Sequence, residues 1–349
     1  MTIKCDPWGK IQDKEVNLYT LRNNNGLEIK ITNYGGIITS ILMPDKFSNK
    51  EEITLGFNQL EDYTSEYYIN NCPYLGALIG RYANRIAKGT FTLDGKKYTF
   101  VCNNGPNHLH GGTIAFHNQV WDSNIDNSEG TSKLVLNLYC KDMEEGYPGN
   151  LNVKVTYQLS DDNELIIDYN ATSDKTTHVN FTNHAYFNLT GCKTNVEGHQ
   201  LQLFADTYTE ATDEAIPTGR ILDVKGTEMD FTTTHKIGER ISSVQGRGYD
   251  HNYIINGNSG DLRRGAIVYD PGSGRQLEMF TTEPGVQLYT GNYLDGSHNR
   301  GNTVFNERFG FCLEAQHYPN SPNEPKFPST LLKPGEEYNQ TTVYKFSIR

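Results

Sequence analysis

The chain alternates apolar and polar residues along much of its length, and this period of two limits what it can fold into. Apolar residues take every second position over residues 27–31, 134–138 and 151–159, which is typical of strands with one buried face. Asp94-Gly95 separates two further runs and predicts a tight hairpin turn. Helical periodicity is weak and favours one short helix within 58–71. Further strands are expected over residues 164–169, 275–282, 285–292, 310–318 and 341–348.

Many strands with few helices predict an all-β fold, either a β-sandwich or a related stack of two sheets. No internal repeat or low-complexity linker divides the 349 residues, and an all-β unit can be this long. We therefore expect a single domain over residues 1–349. The looser stretches 123–131, 256–265 and 319–328 are expected to be surface loops.

Charge and composition exclude several classes of partner. The chain has 31 basic and 42 acidic residues, a net charge of −11, and no stretch concentrates Lys and Arg. Nucleic acids and anionic membranes attract dense positive charge, so neither is an expected partner. No apolar run approaches the ~18 residues of a membrane span, and the first ten residues lack the apolar core of a secretory signal. The six cysteines form no CxxC pair, so reduced core thiols and a cytoplasmic location are expected.

The segment 179–189 carries hydrogen-bonding groups along one face of a predicted strand. Alternation assigns to this face Asn180, Thr182, His184, Tyr186 and Asn188. Such a face can be the solvated side of an ordinary sheet, or it can bind a ligand. Lys and Glu, the usual residues of a face that meets water, are missing, and the side chains present are those that bind hydroxyl groups. Both interpretations stay open, with binding favoured.

Two later strands have the same construction. Glu314 lies among neutral neighbours in residues 309–318, where an unpaired carboxylate is costly unless a partner or ligand meets it. Gln287 and Tyr289 share one face of residues 286–293. Together the three strands present Glu, His, Gln, Asn and Tyr without a surplus of charge. This composition indicates a neutral polyol rather than a phosphate or an acidic ligand.

Two loops add charged candidates. The segment 80–86 contains Arg81 and Arg85, although an isolated Arg is more often a surface or ion-pairing residue. Asp250 lies in a turn-like stretch, where it is as suited to capping the turn as to binding a ligand.

Metal and cofactor chemistry find little support. His108 and His110 form an HxH pair that His184 and Glu314 could complete as a zinc site, but no metal is the favoured interpretation. No P-loop, dinucleotide-binding glycine motif or G-x-S-x-G sequence occurs. Neither an organic cofactor nor a serine nucleophile is therefore expected.

Five motifs, in order and with compatible spacing, resemble the aldose 1-epimerases, also called galactose mutarotases. The motifs are Gly80–Ile86 (GRYANRI), Leu109–Gly112 (LHGG), Thr182–Leu189 (TNHAYFNL), Asp250–Asn252 (DHN) and Leu313–Pro322 (LEAQHYPNSP). An early GGIITSILMPD and a late LKPGEEY extend the resemblance over nearly the whole chain. The resemblance implies a large twisted antiparallel β-sandwich of the supersandwich type, with a sugar bound in an open cleft on one sheet.

The resemblance also implies roles for the matching residues. His184 matches the family's general acid and Glu314 its general base, and Tyr186 lies in the motif of the acid. Positions that hold the sugar hydroxyls correspond to Asn84, Arg85, His110, Asp250 and Gln287. The implied reaction is interconversion of the α and β anomers of free hexoses such as galactose and glucose, without metal or cofactor. The implied partner is a small aldose, and the expected assembly is a monomer or weak homodimer.

The chain departs from the family's pattern at three positions. Ala185 and Ala315 stand where the family often has Thr, and Asn320 stands where Asp is common. A carboxylate near His184, either Asp250 or Glu314, is expected to raise the pKa of the imidazole.

Three other functions stay open. A non-catalytic carbohydrate-binding protein would show the same polar faces. A glycosidase would use two carboxylates, such as Glu314 and Asp250. A hexose-6-phosphate 1-epimerase would need more cationic contacts than Arg81 and Arg85 offer.

Overall fold

A computed structural model describes residues 2–128 and 131–349, and strands form most of its regular structure. The strands, in chain order, are β1 (Thr2–Ile11), β2 (Lys14–Arg22), β3 (Glu28–Thr32), β4 (Ile38–Pro44), β5 (Lys50–Glu52), β6 (Leu78–Ile79), β7 (Arg85–Ile86), β8 (Thr90–Leu93), β9 (Lys96–Thr99), β10 (His108–Leu109), β11 (Asp122–Asp126), β12 (Lys133–Cys140), β13 (Leu151–Leu159), β14 (Glu164–Ser173), β15 (Thr177–His178), β16 (Thr182–Asn183), β17 (Gln200–Leu203), β18 (Thr207–Ala211), β19 (Pro217–Asp223), β20 (His235–Lys236), β21 (Asp250–Ile254), β22 (Arg263–Tyr269), β23 (Arg275–Thr281), β24 (Gly285–Tyr289), β25 (Asn299–Arg300), β26 (Thr303–Val304), β27 (Cys312–Gln316), β28 (Leu331–Leu332) and β29 (Tyr338–Ile348).

Helices are short and few among the described residues. The α-helices are α1 (Leu60–Thr64) and α2 (Glu66–Asn70), so the prediction of helix within 58–71 is confirmed as two single turns. Single turns of 3-10 helix occur at Ala87–Gly89, Phe116–Asn118, Glu144–Gly146, Val196–Gly198, Ile237–Glu239, Ile241–Ser243 and Ser321–Asn323. Across residues 2–128 and 131–349, no helix is long and apolar enough to cross a membrane.

Three large sheets build the fold. The first has the order β1-β2-β3-β4-β5, the second is nine-stranded with the order β11-β12-β13-β14-β29-β23-β22-β17-β20, and the third has the order β19-β18-β21-β24-β27. Neighbouring strands in the three sheets pair antiparallel, for example β13 with β14 and β24 with β27. The predicted all-β, antiparallel architecture is confirmed. The third sheet carries Asp250, Gln287 and Glu314, so it forms the floor of the candidate site.

The alternation predicted from the sequence explains how the sheets stack. Leu136 and Val155 are cross-strand partners in the nine-stranded sheet, and both side chains are buried. They share one apolar cluster with Ile29 of the first sheet and Leu313 of the third. Removal of these side chains from water contributes about 25 cal/mol per Å² of apolar surface, so each sheet is held by the apolar face it shares with the others.

The Asp94-Gly95 hairpin is confirmed. These two residues join β8 to β9, and their φ angles are 50° and 76°. Positive φ at both central positions matches the right-handed twist of the flanking strands, and Asp-Gly tolerates it at low cost. These two adjacent residues were therefore enough to predict the turn from the sequence.

Some predicted boundaries are wrong. The stretch 123–131 is not all loop, because β11 occupies most of its beginning, while residues 129 and 130 lie outside the described residues. The stretch 256–265 likewise ends inside β22. Segment 179–189 is not one continuous strand: it contains β16, and other contacts are single bridges, including one between Phe187 and Phe311. Polar residues at these places pair with neighbouring segments, and alternation alone does not reveal such pairing.

A buried guanidinium joins the first sheet to the nine-stranded sheet. Arg275 of β23 is fully buried and donates hydrogen bonds to the carbonyls of Met43, Pro44 and Leu189 at 3.1–3.3 Å. It also pairs with the Glu51 carboxylate at 3.0 Å. Because the guanidinium is desolvated, removing it leaves several buried acceptors without their donor.

We expect Arg275→Leu to lower the free energy of unfolding by about 3–5 kcal/mol, because it breaks a buried, hydrogen-bonded charge pair. Denaturant unfolding measures the loss. Arg220→Leu is the matched control: this exposed residue pairs with Glu210 at the surface, and its loss is expected to cost less than ~1 kcal/mol. Equal losses in the two variants would contradict the role given to Arg275.

Candidate active site

A cavity of about 420 Å³ opens over the third sheet, which is within the range of small-molecule sites, ~300–1,000 Å³. Its walls are polar and aromatic. The lining residues are Asn71, Cys72, Pro73, Tyr74, Asn84, Arg85, Asn104, Leu109, His110, His184, Tyr186, Asp213, Glu214, Ala215, Asp250, Tyr289, Tyr293, Leu294 and Glu314. All the predicted site residues except Gln287 are in this set.

His184 and Glu314 face each other at the base of the cavity. Glu314 belongs to β27, whose alternation turns its carboxylate away from the core-facing Leu313 and Ala315. The His184 Nε2 atom lies 3.6 Å from Glu314 Oε1, and both side chains are more than nine-tenths buried. Glu314 Oε2 is also buried and meets no hydrogen-bond partner among the described residues. A buried carboxylate oxygen of this kind is ready to accept a hydrogen bond from a ligand.

Burial decides the protonation of this pair. It lowers the pKa of His184 to about 4, although the charge of Asp250 acts in the opposite direction. It also raises the pKa of Glu314 well above its usual range; Asp250 adds to this shift, and Arg85 opposes it. The expectation of a raised His184 pKa is therefore wrong, because desolvation disfavours the imidazolium by more than the nearby carboxylate favours it.

Arg85 is held in place by a chain of amides. Its Nε donates to Asn104 Oδ1 at 3.0 Å, and its backbone N–H donates to Asn84 Oδ1 at 2.9 Å. One guanidinium nitrogen lies 3.9 Å from Asp250 Oδ2. Asn84 has a left-handed backbone, with φ 63°, a conformation that Asn tolerates better than most residues. The side chains of Arg85 and Asp250 thus form one polar wall of the cavity.

His110 contacts the cavity as a neutral ring. Its Nδ1 accepts the backbone N–H of Asn84 at 3.1 Å, so the single proton of the neutral ring lies on Nε2. Burial and the positive groups nearby lower the pKa of His110 well below its usual value. The ring centroid is 5.4 Å from that of His184. His110 is therefore suited to donate a hydrogen bond to a ligand.

The structure separates the two members of the HxH pair. His108 contacts Val101 O through Nδ1 at 2.8 Å and the Tyr147 hydroxyl through Nε2 at 2.7 Å, so both its nitrogens bind protein groups. Ligand atoms of His110, His184 and Glu314 do lie within 4.8 Å of one another. A nitrogen that carries a proton is not a metal ligand, however, and His110 Nε2 carries one.

Asp250 is positioned by Gln287, which does not line the cavity. Gln287 on β24 is the register partner of Glu314 on β27, and its Nε2 donates to Asp250 Oδ1 at 2.7 Å. The structure therefore gives Gln287 a contact with Asp250 instead of a place on the cavity wall, where it was predicted to hold a hydroxyl group.

The polar face of 179–189 is buried rather than solvated. Asn180 donates to Ala83 O and His317 O, and Asn188 donates to Thr194 O and Phe309 O. These amides bind backbone groups and not the cavity. Tyr186 does line the cavity, but its hydroxyl donates to Pro73 O at 2.9 Å, so the ring rather than the hydroxyl faces a ligand.

The two arginines of the first motif have different roles. Arg81 is buried, and its Nη2 donates to the carbonyls of Pro148 and Gly149 at 3.0 and 2.9 Å. Arg85 alone of the pair lines the cavity. Asn320, with φ 60°, supports the Arg85 segment, because its Oδ1 accepts the backbone N–H of Ala87 and its own N–H donates to Arg85 O.

The departures Ala185 and Ala315 lie in the core. Both are buried in the apolar cluster that joins the sheets, on the side away from the cavity. The absence of the Thr hydroxyl at these positions therefore affects packing and not the cavity wall.

Several lining residues were not assigned to the site from the sequence. The rings of Tyr74 and Tyr289 lie 5.9 and 6.2 Å from that of His184. Tyr289 shares the face of Gln287 in the sequence alternation, so a signal for it was present. Tyr74 follows Pro73 in a loop and has a left-handed backbone, φ 59°, so no periodicity marks it.

Comparisons with known proteins agree with this geometry. The sequence profile of the family described as aldose 1-epimerase matches residues 17–345. The chain belongs to the aldose 1-epimerase family. The resemblance drawn from the motifs is confirmed, and membership makes the protein an isomerase. The galactose mutarotase of Sus scrofa is 43% identical over 324 residues, which is 92% of each chain. The aldose 1-epimerase of Escherichia coli is 36% identical over 335 residues, 94% of each chain.

Solved structures place the fold in the same family. The aldose epimerase homologue from C. elegans superposes with a TM-score of 0.87 at 28% identity, covering 95% of this chain and 99% of that one. Galactose 1-epimerase from Lactobacillus acidophilus gives a TM-score of 0.86 at 29% identity and covers 99% of both chains. The predicted galactose mutarotase-like sandwich is therefore confirmed.

Burial of His184 makes stability depend on pH. Its pKa is about 4 in the folded protein against an ordinary 6.5, so between these values the His184 ring is protonated in the unfolded chain and neutral in the folded chain. The stability that the neutral ring contributes is present above pH 6.5 and is lost as the pH falls towards 4.

We therefore expect His184→Gln to reduce the slope of unfolding free energy against pH in this window, by up to ~1.4 kcal/mol per pH unit. Denaturant unfolding at several pH values measures the slope. His178→Gln is a matched variant with the same expectation, because burial lowers the pKa of His178 to about 4 as well. A steeper slope in His184→Gln would instead indicate a folded-state imidazolium.

Proposed function

We propose that this protein is an aldose 1-epimerase that interconverts the α and β anomers of free hexoses such as galactose and glucose. The observation that carries the proposal is the pair of His184 Nε2 and Glu314 Oε1, 3.6 Å apart in a cavity lined by hydrogen-bonding groups. One acid and one base at this separation can reach the anomeric hydroxyl and the ring oxygen of one pyranose.

Ring opening needs two proton transfers and no nucleophile. Glu314 accepts the proton of the C1 hydroxyl while His184 Nε2–H donates a proton to the ring oxygen. The bond between C1 and the ring oxygen breaks, and C1 becomes an aldehyde. After rotation about C1–C2, the ring oxygen attacks the other face of C1, returns its proton to His184, and the carbonyl oxygen takes the proton from Glu314. Atoms and charge balance, and the enzyme ends as it began.

In the proposed reaction the pair shares one proton, which can lie on Glu314 or on His184. Burial favours the uncharged form, with the proton on Glu314 and His184 neutral. Transfer of this proton to His184 gives the carboxylate and imidazolium that start ring opening. Arg85 stabilises the carboxylate and Asp250 the imidazolium. Asp250 also disfavours the Glu314 carboxylate, so it acts on both groups of the pair, while Arg85 counteracts its effect on Glu314. The fixed charges therefore act on both positions of the proton in a pair that must exchange roles in each turnover.

The charge of the cavity favours a neutral sugar. Among the described lining residues, Arg85 is the only Lys or Arg, and it already faces Asp250. Asp213, Glu214 and Glu314 add further carboxyl groups. A phosphorylated hexose would bring two negative charges into this surrounding without a second cation, which is unfavourable.

We also propose a cytoplasmic location for the protein. The six cysteines are free thiols in the structure, although only Cys140 and Cys312 are buried, and free thiols suit the reducing cytoplasm. One domain over residues 1–349 and a monomeric or weakly dimeric assembly also stay predictions.

Polarimetry tests the reaction directly. Freshly dissolved α-galactose or α-glucose should lose its excess optical rotation faster with the protein than without it. We expect Glu314→Gln and His184→Gln each to lower kcat by at least ~10²-fold, since each removes one proton transfer. Glu278→Gln and His235→Gln are matched controls, because these residues lie on β23 and β20 outside the cavity.

The outcomes separate the alternatives. Sugar binding by calorimetry without faster mutarotation would indicate a carbohydrate-binding protein. Release of nitrophenol from a nitrophenyl glycoside would indicate a glycosidase. Faster mutarotation of glucose 6-phosphate than of glucose would indicate the phosphate-specific enzyme. Near-normal kcat in either catalytic variant would reject the assigned acid and base.

Arg85→Ala should weaken sugar binding more than it affects folding. Loss of charge-assisted hydrogen bonds to hydroxyl groups is expected to raise KM by about tenfold, equivalent to ~1.4 kcal/mol, with little change in melting temperature. Arg81→Ala is the matched control with the opposite expectation, because Arg81 binds buried carbonyls. A large loss of stability with unchanged KM in Arg85→Ala would favour a structural role.

A further inference from the structure

Cys312 contacts the His184 ring at Nδ1, the nitrogen that does not face Glu314. Its Sγ lies 3.5 Å from His184 Nδ1, and the thiol is fully buried. Cys312 precedes Glu314 by two residues on β27, so both side chains point to the same face of the strand. Its register partner on β24 is Tyr289, which lines the cavity. One strand, β27, thus carries both the base, Glu314, and the side chain that contacts the acid, His184.

The thiol is a neutral partner for the imidazole. Burial raises the pKa of Cys312 well above its usual value, and the charges of Glu314 and Asp250 act in the same direction. A thiol at neutral pH is a weak hydrogen-bond acceptor and adds no charge. A carboxylate in the same place would hold the ring as an imidazolium and oppose release of its proton.

The geometry of the acid–base pair indicates which ring nitrogen carries the proton of the neutral ring. His184 Nε2 faces Glu314 Oε1 at 3.6 Å, and a protonated Glu314, the form that burial favours, needs Nε2 as its acceptor. A neutral imidazole carries one proton, which is then on Nδ1, the nitrogen next to the Cys312 sulfur. With Nδ1–H directed to the thiol side, Nε2 is left to face Glu314 and the cavity.

We propose that Cys312 is a positioning residue, whose sulfur accepts the Nδ1–H hydrogen bond of His184 so that Nε2 exchanges the proton with the sugar ring oxygen. This inference rests on the proposed function and adds to it the group that orients the acid. In the reaction, Nδ1 keeps its proton throughout, while Nε2 loses a proton to the ring oxygen and later regains it.

Other groups around His184 do not replace this contact. The side chains packed against the ring or acting on it by charge are Tyr74, His110, His117, Tyr186, Tyr289, Asp250 and Glu314. The aromatic side chains approach His184 ring to ring, Glu314 faces Nε2, and Asp250 and His117 act through charge. Among the described side chains, Cys312 is the hydrogen-bond partner of Nδ1.

Kinetics of two substitutions test the role. Cys312→Ala removes the acceptor, and the misplaced ring is expected to lower kcat by about 10- to 100-fold with KM nearly unchanged. Cys312→Ser retains an acceptor and should restore most of the lost kcat. Cys140→Ala and Cys140→Ser are matched controls, because Cys140 is equally buried but lies on β12 of the nine-stranded sheet, whereas the contact with His184 is made by Cys312. Melting curves check that each variant folds.

Nitrogen-15 NMR of histidine-labelled protein reports the tautomer of His184, which a change in packing alone would not alter. At pH 7, neutral His184 in the parent protein should carry its proton on Nδ1, with the signal assigned by its loss in His184→Gln. Cys312→Ala should shift much of the population to the Nε2–H form, and Cys312→Ser should reverse this shift.

The results are decisive in both directions. Three results would each overturn the role of Cys312. They are an unchanged His184 tautomer in Cys312→Ala, a kcat of Cys312→Ala within twofold of the parent, and equal losses of kcat in the Cys140 variants. If the parent protein did not accelerate mutarotation at all, the proposed function would fail, while the NMR comparison would still decide whether Cys312 sets the tautomer.

Discussion

The pairing between Phe187 and Phe311 joins two parts of the chain that lie far apart in sequence. Each residue's N–H donates to the other's carbonyl, at 2.7 and 3.0 Å, and both rings are buried in the core. His184 lies three residues before one partner and Glu314 three residues after the other. This short bridge therefore sets the distance between the imidazole and the carboxylate, and the remaining cavity residues are arranged around that pair.

Desolvation gives the pair its chemical character. In water a histidine and a glutamate near neutral pH would be mostly a neutral ring and a carboxylate. Burial in the cavity shifts both groups towards their uncharged forms, because it lowers the pKa of His184 to about 4 and raises that of Glu314. In the proposed reaction, Arg85, Asp250 and the thiol of Cys312 act on a pair that shares one proton and carries no net charge. A proton moved within such a pair separates charge locally, and nearby fixed charges can stabilise it.

Much of the architecture followed from local patterns. The alternation in β12, β13 and β27 and the Asp-Gly turn between β8 and β9 depend on residues close together in the chain, and the structure confirms them. Segment 179–189 was harder, because its polar residues have different partners: Asn180 and Asn188 bind backbone carbonyls, while His184 faces the cavity. A period of two assigns a residue to a face, but it does not say what packs against that face.

The amino-acid sequence by itself determined the all-β class, the family and the set of polar residues from which the site is made. Only the tertiary structure decided which member of each similar pair reaches the cavity: Arg85 and not Arg81, His110 and not His108. It also decided the direction of the His184 pKa shift and the contact with Cys312. The physical reason is that hydrogen-bond partners and desolvation come from segments distant in the chain, and a linear pattern contains no record of their positions.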